Sequence, residues 1–98
     1  MNIKVNKENK KVTVLVSGRV DTNTSPELLE QLKKAMADAE ELILDLADVN
    51  YVSSAGLRVI LFAQKTMSAK GSMSVAHVCP DIMETFELTG FTDILNII

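Results

Sequence analysis

Two adjacent serines, Ser53 and Ser54, lie between a short apolar run and a longer one, at the predicted start of a helix. A helix start leaves several backbone N–H groups without partners and carries a partial positive charge. A hydroxyl there can cap the helix, and a bound or covalently attached phosphate is stabilised there. The spacing indicates either a plain N-cap or a site of phosphate chemistry at Ser54. For Ser53 we predict the capping role.

Nucleophilic catalysis by Ser54 would need a neighbouring base. The chain has one histidine, His77, which falls within or just after a different predicted strand. No G-x-S-x-G sequence surrounds the serines, as a nucleophile elbow would require. These missing parts argue against a serine hydrolase. His77 is predicted to be a solvated or capped residue at a strand end, and Cys79 a small packed side chain.

Metal and nucleotide chemistry find little support in the residue pattern. Side chains alternate between the two faces of a strand, so Asp45 is predicted to point away from any pocket, and Asp48 is typical of a turn. Gly56 stands alone, whereas a loop that cradles phosphates uses several glycines. We therefore predict an enzymatically inactive chain with no cofactor and no metal site.

Composition sets the class of protein. The chain has 98 residues, 47% of them hydrophobic, with a net charge of −3 and no basic run. This length corresponds to one domain, residues 1–98, and the charge makes nucleic acid an unsuitable partner. The longest apolar run, Val59–Ala63, is far shorter than the roughly 20 residues that span a bilayer. With one cysteine and no apolar signal segment at the N-terminus, the expected location is the cytoplasm, without membrane insertion.

The first half of the chain predicts a hairpin, a loop and a helix. Apolar and polar residues alternate over Ile3–Val5 and Val12–Val16, which is the period of half-buried strands. The polar segment Arg19–Thr24 follows and contains one carboxylate, Asp21. Ser25-Pro26-Glu27 then indicates a helix start with Ser25 as the N-cap.

The second half predicts alternating strands and helices. The expected elements are a short strand at Leu42–Leu46, a largely apolar helix from about Ala55 to Ala69, a strand containing Met73, Val75 and Val78, a helix from Pro80 to about Leu88, and a last strand over Phe91–Ile98. The order β-β-α-β-α-β-α-β favours an α/β fold with a mixed, mostly parallel sheet of about five strands, an N-terminal hairpin and three main helices.

In open α/β sheets, functional loops follow the carboxyl ends of strands. If the strands before Arg19–Thr24 and before the two serines are neighbours, Asp21 and Ser54 lie close together. The first turns of the helix after Ser54 are apolar almost all round, so the Leu57–Phe62 face could contact a partner or form a homodimer.

The run DLADVNYVSSAGLRVIL, Asp45–Leu61, resembles the signature of STAS-domain anti-sigma factor antagonists. SGRVD at Ser17–Asp21 is similar to the Gly-x-(Leu/Ile/Val)-Asp turn of that family, and the resemblance covers nearly the whole chain. It implies a single STAS-like domain. Ser54 matches the residue that is phosphorylated in switching members, Asp21 the neighbouring loop aspartate, and Gly56 the motif glycine. Ser53 replaces the motif aspartate and Ala55 replaces a serine or threonine.

The resemblance implies a function with two kinds of partner. The unphosphorylated chain would bind an anti-sigma factor, itself a serine kinase, and free the sigma factor. Phosphorylation of Ser54 would switch this binding off, and a serine phosphatase would restore it. The residues implied in partner binding are Asp21, Thr22, Asn23, Ser53, Ser54, Ala55, Gly56, Leu57 and Arg58.

Two alternatives remain at this level. STAS domains also serve as scaffolds or regulatory subunits of multiprotein or transport complexes, with no dependence on phosphorylation. The replacement of the motif aspartate by Ser53 favours this slightly. Direct binding of a small molecule or a nucleotide at the same loop is the other alternative.

Overall fold

Apolar residues of neighbouring strands line up in rows across the sheet. In the computed structural model, which describes residues 1–98, Val14 lies beside Leu44, and Leu44 lies beside Val75. All three side chains are completely buried. Because side chains alternate along a strand, such rows share one face, and this face carries the core.

The order of elements agrees with the prediction as far as the third helix. The elements are β1 (Asn2–Glu8), β2 (Lys11–Val20), α1 (Ser25–Met36), β3 (Glu41–Val52), α2 (Ser54–Ser68), β4 (Ser72–Ala76) and α3 (Pro80–Thr89). The sheet order is β1-β2-β3-β4; β1 is antiparallel to β2, and the other neighbouring pairs are parallel. The mixed, mostly parallel α/β sheet with an N-terminal hairpin is confirmed. No helix combines the length and the apolar character that crossing a bilayer requires.

The core lies on one side of the sheet. A single cluster of buried side chains joins the rows described above to residues of all three helices, among them Leu28, Leu32, Ile60, Met67, Ile82 and Phe86. Burying one such side chain stabilises the fold by about 1.5–3 kcal/mol. Leu15 and Ile43 are half-buried and lie outside this cluster. The opposite face of the sheet is therefore open to solvent. Helices α1 and α2 cover the core face at the end near the loops that follow β2 and β3.

The prediction of a last strand over Phe91–Ile98, which brought the count to about five, is wrong; the sheet has four strands. Phe91–Asp93 form a 3-10 turn, and only Ile97 makes a bridge, to Val75. Gly90, at φ +80°, ends α3, and the ring of Phe91 stacks on that of Phe86 at 6.0 Å between centroids. This packing turns the chain before it reaches β4, so only its last residues can pair with the sheet.

Strand β3 is longer than predicted. It was expected to end at Leu46, before a polar turn, but it pairs with β2 as far as Val52. The pairing register shifts between Leu15 and Ser17 and again between Gly18 and Arg19. The polar residues Asp48 and Asn50 are exposed on a paired strand, so their polarity reflected the solvent-facing side of the strand and not a turn.

Helix α1 begins one residue earlier than predicted. Thr24, and not Ser25, occupies the N-cap position, and Ser25 is only 3% exposed. The hydroxyl of Ser25 donates to the carbonyl oxygen of Asp21 at 2.5 Å. Ser25 therefore ties the start of α1 to the preceding loop.

Candidate functional site

The junction between β3 and α2 is built around Ser53. Ser53 is the N-cap of α2, with φ −82° and ψ 174°, and its Oγ accepts the backbone N–H of Gly56 at 3.2 Å. Its own N–H donates to the carbonyl oxygen of Val20 at 2.8 Å. A position that requires an N-cap accepts serine and aspartate about equally well. The presence of Ser53 where the related motif has aspartate is therefore compatible with the same local geometry.

Ser54 is the first residue of α2 and is exposed to solvent. The capping role that its spacing allowed belongs to Ser53, so the Ser54 hydroxyl is not needed to start the helix. At this position a side chain lies next to free backbone N–H groups and the positive end of the helix dipole. The site can stabilise an anionic group attached to Ser54.

Asp21 organises the second loop. Its Oδ1 accepts the backbone N–H groups of Asn23 at 2.9 Å and of Thr24 at 3.0 Å. The Thr24 hydroxyl in turn donates to the carbonyl oxygen of Arg19 at 2.7 Å. These bonds form an Asx-type turn that leads directly into α1. Asp21 thus has a structural role here, because its carboxylate fixes the loop before α1.

The same contacts keep Asp21 ionised. The hydrogen bond from the N–H of Thr24 is the largest cause that holds the pKa of Asp21 below its ordinary value, with help from the N–H of Asn23 and from Arg19. The Nε of Arg19 lies 3.9 Å from Oδ2 of Asp21. The loop therefore carries a fixed negative charge at neutral pH.

The two loops begin side by side. Val20, at the end of β2, pairs with Val52, at the end of β3, so Asp21 and Ser53 are the next residues of adjacent parallel strands. Gly56 lies against both strand ends: a Cβ at this residue would be 2.7 Å from Cγ1 of Val20 and 2.8 Å from Cγ1 of Val52. A residue without a side chain lets the first turn of α2 approach the sheet here.

The remaining candidate residues differ in accessibility. Thr22, Asn23 and Arg58 are exposed, Ala55 and Leu57 are half-buried, and Gly56 is buried. Leu57 packs against the core. Exposed side chains can contact a partner directly, whereas Gly56 can act only by setting the spacing between α2 and the strand ends.

Arg19 and Tyr51 form a stacked pair that the sequence analysis did not single out. The guanidinium carbon of Arg19 lies 4.0 Å from the centroid of the Tyr51 ring. The two residues are paired on β2 and β3, and both are exposed. The register that brings them together depends on two irregularities in the strand pairing, which no sequence pattern marks.

His77 does not serve Ser54. Its Nδ1 lies 3.0 Å from Oδ1 of Asp45, and its side chain is 67% exposed just beyond β4, as predicted for a residue at a strand end. Asp45 precedes Val52 by seven residues on β3, which at about 3.3 Å per residue is roughly 23 Å. The histidine–aspartate pair therefore lies far from the Ser54 hydroxyl.

The largest surface cavity lies at the opposite end of the sheet from the two loops. It measures about 520 Å³ and is lined only by polar and charged residues at the start of β2, β3 and β4, among them Lys11, Glu41 and Ser72. No group of three or more histidine, cysteine, aspartate or glutamate residues is arranged to hold a metal ion. The candidate site at the Asp21 and Ser53–Ser54 loops is therefore separate from this cavity.

Comparisons with known proteins give one consistent result. The family model described as "Mlab, STAS domain" matches residues 3–96. An anti-sigma-B factor antagonist of Bacillus subtilis is 28% identical over 98 residues, covering 99% of this chain and 90% of the relative. An anti-sigma-B factor antagonist of Listeria monocytogenes is 32% identical over 88 residues, covering 88% of this chain and 77% of the relative. A crystal structure of an anti-sigma factor antagonist from Mycobacterium paratuberculosis has the same fold, with a TM-score of 0.89 at 24% identity, covering 98% of this chain and 83% of that one.

Proposed function

This chain belongs to the STAS domain family, and we propose that it acts as an anti-sigma factor antagonist, as its curated relatives are named. In its unmodified form it binds an anti-sigma factor and so frees a sigma factor. The anti-sigma factor is also a serine kinase, and it phosphorylates Ser54. A serine phosphatase reverses the modification, and the exchange takes place in the cytoplasm.

The observation that carries the proposal is the position of Ser54. It is an exposed residue at the first position of α2, relieved of capping by Ser53 and next to the loop of Asp21. A kinase can reach such a hydroxyl without unfolding the helix. In this reading the chain catalyses nothing, and Ser54 is a substrate of other enzymes.

Phosphorylation would change binding far more than it changes the fold. A phosphoserine adds about −1.5 to −2 charges at neutral pH. The free N–H groups and the dipole at the start of α2 accommodate this charge, so the fold is retained. At an interface the same dianion must lose its hydration. Its charge also adds to the negative charge of the Asp21 carboxylate in the neighbouring loop.

The size of this effect is enough for a switch. Burying or confronting an unpaired charge at an interface costs a few kcal/mol. A cost of about 2.7 kcal/mol corresponds to a hundredfold loss of affinity. A micromolar complex would then dissociate at ordinary cellular concentrations.

The test uses the purified anti-sigma factor kinases of the source organism. Each is incubated with this chain and ATP, and the product is mapped by mass spectrometry, with Ser54→Ala and Ser53→Ala as a matched pair. We expect phosphate on Ser54 in the unmodified chain and in Ser53→Ala, and none in Ser54→Ala. Phosphate found only on Ser53, or on neither serine, would contradict the assignment of Ser54 as the phosphorylation site.

Binding to the same anti-sigma factor is then measured by calorimetry for Ser54→Glu and for Ser54→Gln, which has a similar size and no charge. We expect Ser54→Glu to bind about a hundredfold more weakly than the wild type and Ser54→Gln to bind within a fewfold of it. Equal and tight binding by both variants would refute the switch and favour a scaffold that works without phosphorylation.

A further inference from the structure

Two helical stripes face each other beside the candidate site and leave a groove between them. One face of α1 carries Pro26, Leu29 and Lys33, which are spaced three or four residues apart. One face of α2 carries Arg58, Val59 and Phe62, since Phe62 follows the other two by four and three residues. We call the surface formed by Pro26, Leu29, Lys33, Arg58, Val59 and Phe62 the α1–α2 groove.

The floor of the α1–α2 groove is apolar and unfilled. It holds two adjoining cavities of about 210 and 190 Å³, which share Leu29, Arg58 and Val59. Phe62 is 41% exposed at one end, while Phe86 of α3 is completely buried in the core. Each cavity by itself is smaller than the roughly 300–1,000 Å³ of a small-molecule site. They suit single apolar side chains of a protein partner.

The rim of the α1–α2 groove is positively charged in a chain whose net charge is −3. Lys33 and Arg58 are exposed on opposite walls, and Nζ of Lys33 lies 5.9 Å from the centroid of the Phe62 ring. No aspartate or glutamate lines either cavity. The local charge therefore selects for an acidic occupant, since complementary potentials steer association and like charges oppose it.

The groove is continuous with the Ser54 site. Ala55 and Thr22, which adjoin the two candidate loops, line the first of its cavities. Arg58 follows Ser54 by four residues and therefore lies one helical turn further along the same side of α2. An occupant of the groove would pass close to the Ser54 hydroxyl.

We propose that the α1–α2 groove receives an amphipathic segment of the anti-sigma factor in which carboxylates flank an apolar side chain. The apolar side chain fills the cavity above Leu29 and Val59, and the carboxylates pair with Lys33 and Arg58. This inference depends on the proposed function for the identity of the partner. It also gives phosphorylation a physical target, because a dianion on Ser54 would stand at the end of a groove that holds an acidic segment.

The first test measures binding of the full chain to the anti-sigma factor by calorimetry. We expect Lys33→Glu and Arg58→Glu each to weaken binding at least about tenfold, because each confronts the acidic segment with a like charge. Phe62→Ser should weaken it to a similar degree by removing an aromatic anchor. Lys34→Glu is the matched control: Lys34 lies in the same last turn of α1 but does not line the groove, so we expect a change within about twofold.

The outcomes separate this inference from the proposed function. If Ser54→Glu abolishes binding while the three groove variants bind as the wild type does, the proposed function stands and the groove assignment is wrong. Equal losses in Lys33→Glu and Lys34→Glu would also overturn it, since the effect would then be one of net charge. A stronger complex with Lys33→Glu would indicate a basic occupant.

The second test needs no anti-sigma factor. The isotopically labelled chain is titrated with a helical peptide carrying leucines flanked by glutamates, and with the same peptide in which lysine replaces every glutamate. We expect the acidic peptide alone to shift the backbone amide resonances of Leu29, Lys33 and Phe62. Shifts with both peptides, or with neither, would refute the proposed chemistry. A self-association of the chain that Phe62→Ser abolishes would assign the groove to a second copy instead.

Discussion

The contact of Gly56 with the strand ends leads to a quantitative prediction for Gly56→Ala. The added Cβ would lie 2.7 Å from Cγ1 of Val20, 2.8 Å from Cγ1 of Val52 and 3.1 Å from the carbonyl oxygen of Val20. The methyl groups of valine sit on the β-carbon and are stiff, so they cannot swing away. The first turn of α2 must therefore move outward from the sheet, or the strand ends must shift.

The magnitude follows from two opposing effects. Overpacking a filled site costs about 1–3 kcal/mol, and two contacts below 3.0 Å place this site in the upper part of that range. Replacing glycine with alanine in a helix gains about 0.5–1 kcal/mol. We therefore expect Gly56→Ala to lower the free energy of unfolding by about 1–2 kcal/mol, and the melting temperature by about 4–16 °C.

The assay is urea unfolding of four proteins in a double-mutant cycle: wild type, Gly56→Ala, Val52→Ala and the double variant. Val52→Ala removes one of the two methyl groups that the new Cβ would meet. We expect Gly56→Ala to cost less stability in the Val52→Ala background than in the wild type, by at least about 0.5 kcal/mol. Binding to the anti-sigma factor should weaken in Gly56→Ala, since the Ser54 turn is displaced.

Two results would refute this reasoning. If Gly56→Ala stabilised the protein, helix propensity would outweigh the contact, and α2 could not lie as close to the strand ends as described. If the two substitutions were additive, the cost would come from elsewhere than Val52.

Two further predictions concern the charges of the site. Hydrogen bonds, chiefly from the Thr24 N–H, hold the pKa of Asp21 below its ordinary value of 3.8, so the unfolded chain takes up this proton at a higher pH than the folded chain. The resulting stabilisation is present above pH 3.8 and is lost as the pH falls through the pKa of the folded state. Asp21→Asn should therefore flatten the dependence of the urea midpoint on pH in that acidic range. Parallel curves for the two proteins would count against this prediction. Another variant carries genetically introduced phosphoserine at residue 54, whose second phosphate pKa is ordinarily about 6. The guanidinium of Arg58, four residues later, should favour the dianion, so we expect this pKa to be lower by roughly 0.3 than in the same protein with Arg58→Gln. Phosphorus NMR titration measures this pKa, and identical midpoints would show that Arg58 does not reach the phosphate.

The sequence alone predicted the order of elements as far as the third helix and the loop that carries the family motif. Both depend on local signals: the alternation of Val12, Val14 and Val16, the apolar stripe of α1, and the helix start after Pro80 are each read within a few residues. The family motif around Ser54 and Gly56 is equally local, and the structure meets the condition for its loop to lie beside that of Asp21, since β2 and β3 are neighbours.

The prediction of secondary structure failed where an apolar or polar run was compatible with more than one kind of element. Ile94, Leu95, Ile97 and Ile98 suit a strand, but Gly90 and the stacking of Phe91 on Phe86 turn the chain, and β4 offers a partner only at Val75. Asp48 and Asn50 suit a turn, yet they lie on the solvent side of a paired strand. The cap of α1 is Thr24 and not the predicted Ser25, whereas Ser53 caps α2 as predicted.

The sequence by itself determined that Ser54 stands at the start of a helix, because capping and periodicity involve residues close in the chain. Only the tertiary structure decided that Gly56 lies against Val20 and Val52, and that Lys33 and Phe62 share one groove with Arg58. These residues come from different elements, and their contacts depend on the angle and distance at which α1 and α2 pack on the sheet. That geometry is set by the whole core, whose members are scattered along the chain.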